Sequence, residues 1–271
     1  MRTITAVFGA TFRNASLVRL EVAFAAFNGA EWGVWVSLLV YAYGVGGATA
    51  LGAMALVQLL PSAVLAPYLG ALTDRHRAGR VLWAGYLVMG LAMAIEALAI
   101  ALDAPPLVVF ALAPIINIGL TVPRPAQSGL LPGVVRLPVE LTAANVLSSW
   151  AENGGVLIAP ALAGVLLGSG GPALSIGVLA VLALFAAVAV LPIPGPPPLA
   201  RREGAGSVRA EILEGVRAVA RERPVRLLVG LLGAQYFLVG ALDVLCVVLS
   251  MSVLGMGEAG AGFLNSAFGA G

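Results

Sequence analysis

The residues able to do chemistry in this chain are polar side chains set singly into long apolar runs. Asn28 and Glu31 lie about one turn apart, Glu152 and Asn153 sit in the middle of another run, and Gln58, Glu96, Asn117 and Asp243 each interrupt a further one. An ionisable or amide group inside a bilayer is costly and faces a cavity or a partner. Glu31, Asn28, Gln58, Asn117, Glu152, Asn153 and Asp243 are therefore the candidate lining of a central transport cavity. For Glu21 and Glu96 a structural hydrogen bond or an interfacial position is an equally good reading. Low-dielectric surroundings disfavour the charged form of a carboxylic acid in general, so an acid in such a cavity can take up and release a proton near neutral pH. If one carboxylate binds either a proton or a cation but not both, exchange follows from the competition. Glu31 is the first candidate for that role and Glu152 the second.

Other chemistries are excluded by what the chain lacks. The one cysteine, Cys246, and the one histidine, His76, cannot form an internal disulfide and fall short of a four-ligand metal site. Every basic residue is an arginine, so a GxxxxGK phosphate loop cannot exist here, and energy from ATP would have to arrive through another polypeptide. The net charge is only +2 and the arginines form no aromatic-interleaved basic surface, which argues against a nucleic-acid partner. No cofactor is expected; a proton gradient is the energy source to consider.

The elements that must position these side chains are set by composition. Of 271 residues, 60% are hydrophobic and 10% charged, with a mean hydropathy of +1.01. The apolar runs are repeatedly about 20 residues long, the length that carries a helix across the hydrocarbon layer. Seven spans are predicted, over 17–43, 48–72, 81–102, 106–131, 142–168, 172–192 and 225–253, and an eighth begins at Gly257. The first is too long for the apolar region of a cleavable signal and is read as a retained helix.

Arginine placement gives the topology. Arg2, Arg13 and Arg19 precede the first span, and Arg75, Arg77 and Arg80 lie between the second and third. Arg124 and Arg136 fall at the fourth-to-fifth junction, and the rest, from Arg201 to Arg226, fill the sixth-to-seventh connection. The opposite loops, near residues 44–47, 103–105 and 168–171, hold none. By the positive-inside rule the N-terminus is expected to be cytoplasmic, in a multi-pass inner-membrane protein.

Three parts follow. Residues 1–192 are predicted to form a six-helix bundle, 193–224 a cytoplasmic connection, and 225–271 helix 7 with an incomplete helix 8. The connection opens with a stiff stretch, Pro194–Pro198, and continues as an amphipathic helix whose Val208, Ile212, Val216 and Val219 share one face. That helix is expected to lie along the membrane surface. Pro61 and Pro160, each well inside an apolar run, suggest corresponding interrupted helices in two three-helix repeats. Because the last apolar run is unfinished at Gly271, further helices of the same protein are expected as partners, and the chain alone is not expected to transport.

Specific motifs then appear. The loop Gly70-Ala71-Leu72-Thr73-Asp74-Arg75-His76-Arg77-Ala78-Gly79-Arg80 resembles the signature between the second and third helices of the major facilitator superfamily, with Gly70, Asp74, Arg75 and Arg80 on the pattern and Gly79 later than in its commonest form. In the fifth span, Gly155 to Gly164 is similar to the helix-5 motif of that family's exporters, with Gly155, Pro160 and Gly164 in place and Ala159 and Ala163 where glycines usually stand. Arg124-Pro125-Ala126-Gln127 through Leu141 to Asn145 is similar to the fourth-to-fifth connection of a bacterial exporter branch. The resemblance implies an all-α polytopic fold, a gating loop at Gly70 to Arg80, and alternating access of two six-helix halves. Its fifth-helix motif implies efflux, and together with an exchangeable carboxylate the expectation is proton-coupled export of a small amphipathic or cationic substrate, with membrane lipid and the substrate as partners. The rival reading is a membrane-embedded signalling or assembly subunit that moves no solute.

Overall fold

A computed structural model describes residues 11–191, 193 and 208–270. Helix α1, Ala15–Arg75, starts at Asn14, whose side chain accepts a hydrogen bond from the Leu17 N–H at 3.3 Å. That satisfies one of the donors a helix N-terminus leaves free. Two residues inside α1 leave helical geometry: Gly46 and Gly47, the latter at φ +61°, ψ −153°. Only glycine occupies that region without strain.

The glycine break folds α1 back on itself. Glu31 and Gln58 are 27 positions apart, about 40 Å along a straight helix. Yet Glu31 pairs with Arg124 and Gln58 with Asn117, which lie only about 10 Å apart along the chain axis at the same rise. The two arms of α1 must therefore run antiparallel.

Helix α2, Ala78–Ala101, ends at a turn in which Asp103 has φ +52°. Pro105 leads into α3, Pro106–Thr121, followed after Val122 by α4, Pro123–Val134. Helix α5, Pro138–Val190, repeats the device of α1: Gly170 and Gly171 break it, with Gly171 at φ +69°, ψ −170°. Then come α6, Val208–Arg221, and α7, Arg223–Val248, which runs on into the π-helical turn Leu249–Val253; α8 is Gly257–Ala270.

Among the described residues, five helical segments are long and apolar enough to cross a membrane. Two of them are the folded helices α1 and α5, so the crossings number seven, with α8 following. This is the predicted all-α polytopic architecture, and the turns at Gly46–Gly47, Asp103 and Gly170–Gly171 fall in the arginine-free loops. Two expectations change. The fourth span is not one helix, because Pro123 has no N–H to continue the ladder and α3 gives way to α4 there. Conversely, Pro61 and Pro160 interrupt nothing: both lie inside continuous helix. The stretch Pro194–Pro198 lies outside the described residues, whereas α6 occupies the predicted amphipathic segment.

The first arm of α1 is the hub. Its Leu17, Leu20, Phe24, Phe27 and Val34 are buried against α2, α3 and α5, where Tyr86, Met89, Ile116 and Leu179 complete the core. Phe24 stacks on Phe27 at 5.8 Å, and Phe27 meets Tyr86 at 5.4 Å. Large apolar side chains such as Leu107, Val188 and Phe237 point outward. A helix that keeps its backbone bonded internally and presents such residues suits lipid.

Candidate functional site

Three helices converge on one guanidinium. The first arm of α1 supplies Asn28 and Glu31, α4 supplies Arg124, and the first arm of α5 supplies Glu152. Arg124 meets Glu31 through two parallel bonds, Nη1 to Oε1 at 2.7 Å and Nη2 to Oε2 at 2.6 Å. This bidentate fork is the strong form of a charge-assisted pair. Nη2 also donates to Asn28 Oδ1 at 3.2 Å, and Nε lies 3.4 Å from Glu152 Oε1. Asn28 is oriented for this by its own amide, which donates to the Phe24 carbonyl at 2.8 Å. The Phe27 ring closes one side, its centroid 5.4 Å from the guanidinium carbon, at cation–π range.

Local sequence explains the convergence. A Cβ on Gly155 would come within 2.9 Å of Asn28 Cβ, so glycine there lets α5 approach α1 closely enough for Glu152, one turn earlier, to reach Arg124. The start of α4 at Pro123 places Arg124 in its first turn.

The cluster carries one positive and two negative formal charges, so one negative charge lacks a cationic partner inside it. The carboxylates are not equivalent. Glu31 commits both oxygens and its side chain is 19% exposed, whereas Glu152 makes a single longer contact and is 45% exposed.

The remaining predicted residues are distributed as follows. Asn117 Nδ2 donates to Gln58 Oε1 at 3.0 Å, tying α3 to the second arm of α1, while the buried Gln58 Nε2 has no partner. Asn153 is exposed and donates to the Ser149 carbonyl of its own helix at 2.7 Å, apart from the cluster. Asp243 of α7 accepts from Trp35 Nε1 at 3.0 Å. Gly70 faces open space; Arg75 ends α1, His76 caps it through a bond to the Leu72 carbonyl, and Arg80 is exposed at the start of α2. The Asp74 side chain lies outside the described residues. Gly164 packs on α8, where a Cβ would come within 2.7 Å of the Ala259 carbonyl oxygen, and the Pro160 carbonyl lies against Gly262.

Sequence reasoning missed Arg124 as a site residue by counting it among loop charges. The structure corrects that: Arg124 sits ten residues before α4 ends and turns into the bundle. The available signal was its position well inside the predicted 106–131 span. Trp35 was also missed, and nothing in sequence pointed it toward Asp243.

Residues 21–271 match the family described as Major Facilitator Superfamily. No curated protein sequence matches the chain. Among solved structures, the chain resembles a peptide transporter POT in complex with sulfate at a TM-score of 0.56 and 18% identity, covering 87% of this chain and 51% of that one. It also resembles the POT family transporter PepTSo at 0.55 and 18%, covering 94% and 54%. A POT family transporter in complex with a thioalcohol-conjugated peptide gives 0.54 and 17%, with 87% and 51% covered. The chain thus spans about half the length of the solved structures it matches, and at these identities they bear on fold alone.

Proposed function

The chain belongs to the major facilitator superfamily, and from that premise we propose that it is part of a secondary transporter exporting small amphipathic or cationic compounds in exchange for protons. The observation that carries this reading is Arg124 held between Glu31 and Glu152 inside the helical bundle, with one negative charge left over. A cation or a proton that reaches the half-exposed Glu152 neutralises that excess. Glu152, half-exposed and weakly held, is the carboxylate that trades partners, while the bidentate Glu31 keeps Arg124 in place. This reverses the order expected from sequence, where Glu31 came first.

In this reading residues 1–192 form one half, 193–224 the cytoplasmic connection, and 225–271 the start of the other half. Alternating access is rocking of the halves about contacts such as α5 on α8 and Trp35 on Asp243. The arginine distribution supports an inner-membrane orientation with a cytoplasmic N-terminus, and the Gly70 to Arg80 loop serves as the cytoplasmic gate. Export, in place of uptake, is supported by Gly155, Pro160 and Gly164 in the fifth crossing.

The test is transport of tetraphenylphosphonium by the intact protein in proteoliposomes under an imposed pH gradient. Glu152→Gln is expected to lower gradient-driven flux by about tenfold or more, the equivalent of about 1.4 kcal/mol of lost cation stabilisation. Wild-type flux in both Glu152→Gln and Arg124→Gln would overturn the reading.

A further inference from the structure

A second polar layer lies beside the Arg124 cluster, built from the same three helices. Gln127 Nε2 of α4 donates to Ser148 Oγ of α5 at 3.1 Å, and Ser148 Oγ faces both carboxylate oxygens of Glu21 on α1, at 2.9 and 3.1 Å. Gln127 is one turn past Arg124, and Ser148 is one turn before Glu152. Glu21 precedes Asn28 by seven positions. The two layers are therefore stacked along the bundle, about 5–10 Å apart at the helical rise, with the Glu21 layer nearer the start of α1.

The layers differ in how their carboxylates are held. Glu31 has a guanidinium; Glu21 has one neutral hydroxyl, which must divide its single hydrogen between two oxygens. Glu21 is buried, at 9% exposure, and Gln127 Oε1 beside it has no partner. Tyr86 of α2 is fully buried, its hydroxyl without a hydrogen-bond partner and within electrostatic reach of Glu21, Arg124 and Glu31. Glu21 is thus held by Ser148 of α5 and, through it, by Gln127 of α4, while the charged groups Glu31, Arg124 and Glu152 belong to the neighbouring layer. On its other side Glu21 borders an open groove of about 320 Å³ lined by apolar residues, among them Phe12, Leu17, Val22, Leu147 and Trp150.

We propose that Glu21 is a second exchangeable proton-binding carboxyl, and that Ser148, Gln127 and the Tyr86 hydroxyl couple it to the Arg124 cluster. A proton on Glu21 turns its carboxyl into a donor. Ser148 must then reverse its own hydroxyl, and the reorientation is felt one turn away at Arg124 and Glu152. Two carboxyls loading separately give the exchanger a proton site that a bound cation does not block.

The inference deepens the exchange reading above, and its test reads proton binding without transport, so the two fail separately. Infrared difference spectra of the intact protein in lipid, titrated between about pH 5 and pH 9, report each protonated carboxyl through its C=O stretch. Glu21→Gln is expected to remove one titrating component that Glu152→Gln leaves in place. Ser148→Ala is expected to keep that component and move its midpoint, and Tyr86→Phe to shift its frequency. A titration unchanged by Glu21→Gln overturns the proposal, as does a Ser148→Ala titration that superimposes on wild type; the second outcome decides the matter should Glu21→Gln fail to fold.

Discussion

The Arg124–Glu31 pair yields the sharpest prediction, because its geometry sets a magnitude. Two unit charges about 4 Å apart at an effective dielectric of about 20 attract by about 4 kcal/mol. Side-chain exposures of 39% for Arg124 and 19% for Glu31 screen that attraction. Polar side-chain pairs measured between membrane helices average about 0.6 kcal/mol and reach about 1.7. A bidentate ionic fork exceeds the neutral average, so we expect a coupling of about 1.5–2.5 kcal/mol.

The perturbation is a double-mutant cycle: Glu31→Gln, Arg124→Gln and the double variant, each in the intact protein. Glu31→Gln leaves Arg124 with only its longer contact to Glu152, and Arg124→Gln leaves two carboxylates without a cation, so each should destabilise, and the double variant should cost less than the two together. The assay is reversible unfolding in mixed micelles with increasing denaturing detergent, followed by tryptophan fluorescence. A coupling of about 2 kcal/mol is nearly a thirtyfold change in the folding equilibrium, well above the scatter of such titrations. Additive effects, with a coupling below about 0.5 kcal/mol, would refute the pairing and with it the assignment of Glu152 as the exchangeable acid.

Three further outcomes are expected. Gly47→Ala and Gly171→Ala should each cost about 1–3 kcal/mol, because both positions hold a glycine-only conformation; Gly44→Ala, which faces open space, should stay within about 0.5 kcal/mol, and equal effects at all three in the same unfolding assay would contradict the hinge geometry. Gly164→Leu should force α8 off α5 at a cost of about 1–3 kcal/mol, seen as loss of cross-linking between cysteines placed at positions 157 and 266, where Ser266 Oγ now lies 2.5 Å from the Leu157 carbonyl. In a Cys246→Ser background, a water-soluble thiol reagent should label Glu152→Cys and spare Asn28→Cys, which is fully buried; no labelling at 28, 31, 58, 117 or 152 would favour the non-transporting reading.

Much of the architecture was legible without coordinates. Apolar runs about 20 residues long can only be helices in lipid, because that solvent offers the backbone no other hydrogen-bond partner. Arginine-free loops marked the turns at Gly46–Gly47, Asp103 and Gly170–Gly171. The Gly70 to Arg80 and Gly155 to Gly164 motifs pointed to the superfamily that residues 21–271 match. Polarity within apolar runs also picked out Asn28, Glu31 and Glu152, three members of the cluster.

Pairing was the part that tertiary structure alone decided. Sequence spacing fixes which residues share a helix face, but Glu31 and Arg124 are 93 positions apart, and their meeting depends on how three helices rotate and how closely they approach. That rotation is set by the break at Pro123 and by the lack of a side chain on Gly155. A count of positive charges by loop assigned Arg124 to the surface, because topology rules weigh each arginine by its place along the chain. In the folded protein the carboxylates of Glu31 and Glu152 compensate the cost of bringing that arginine inside, and compensation between distant segments is a property of packing.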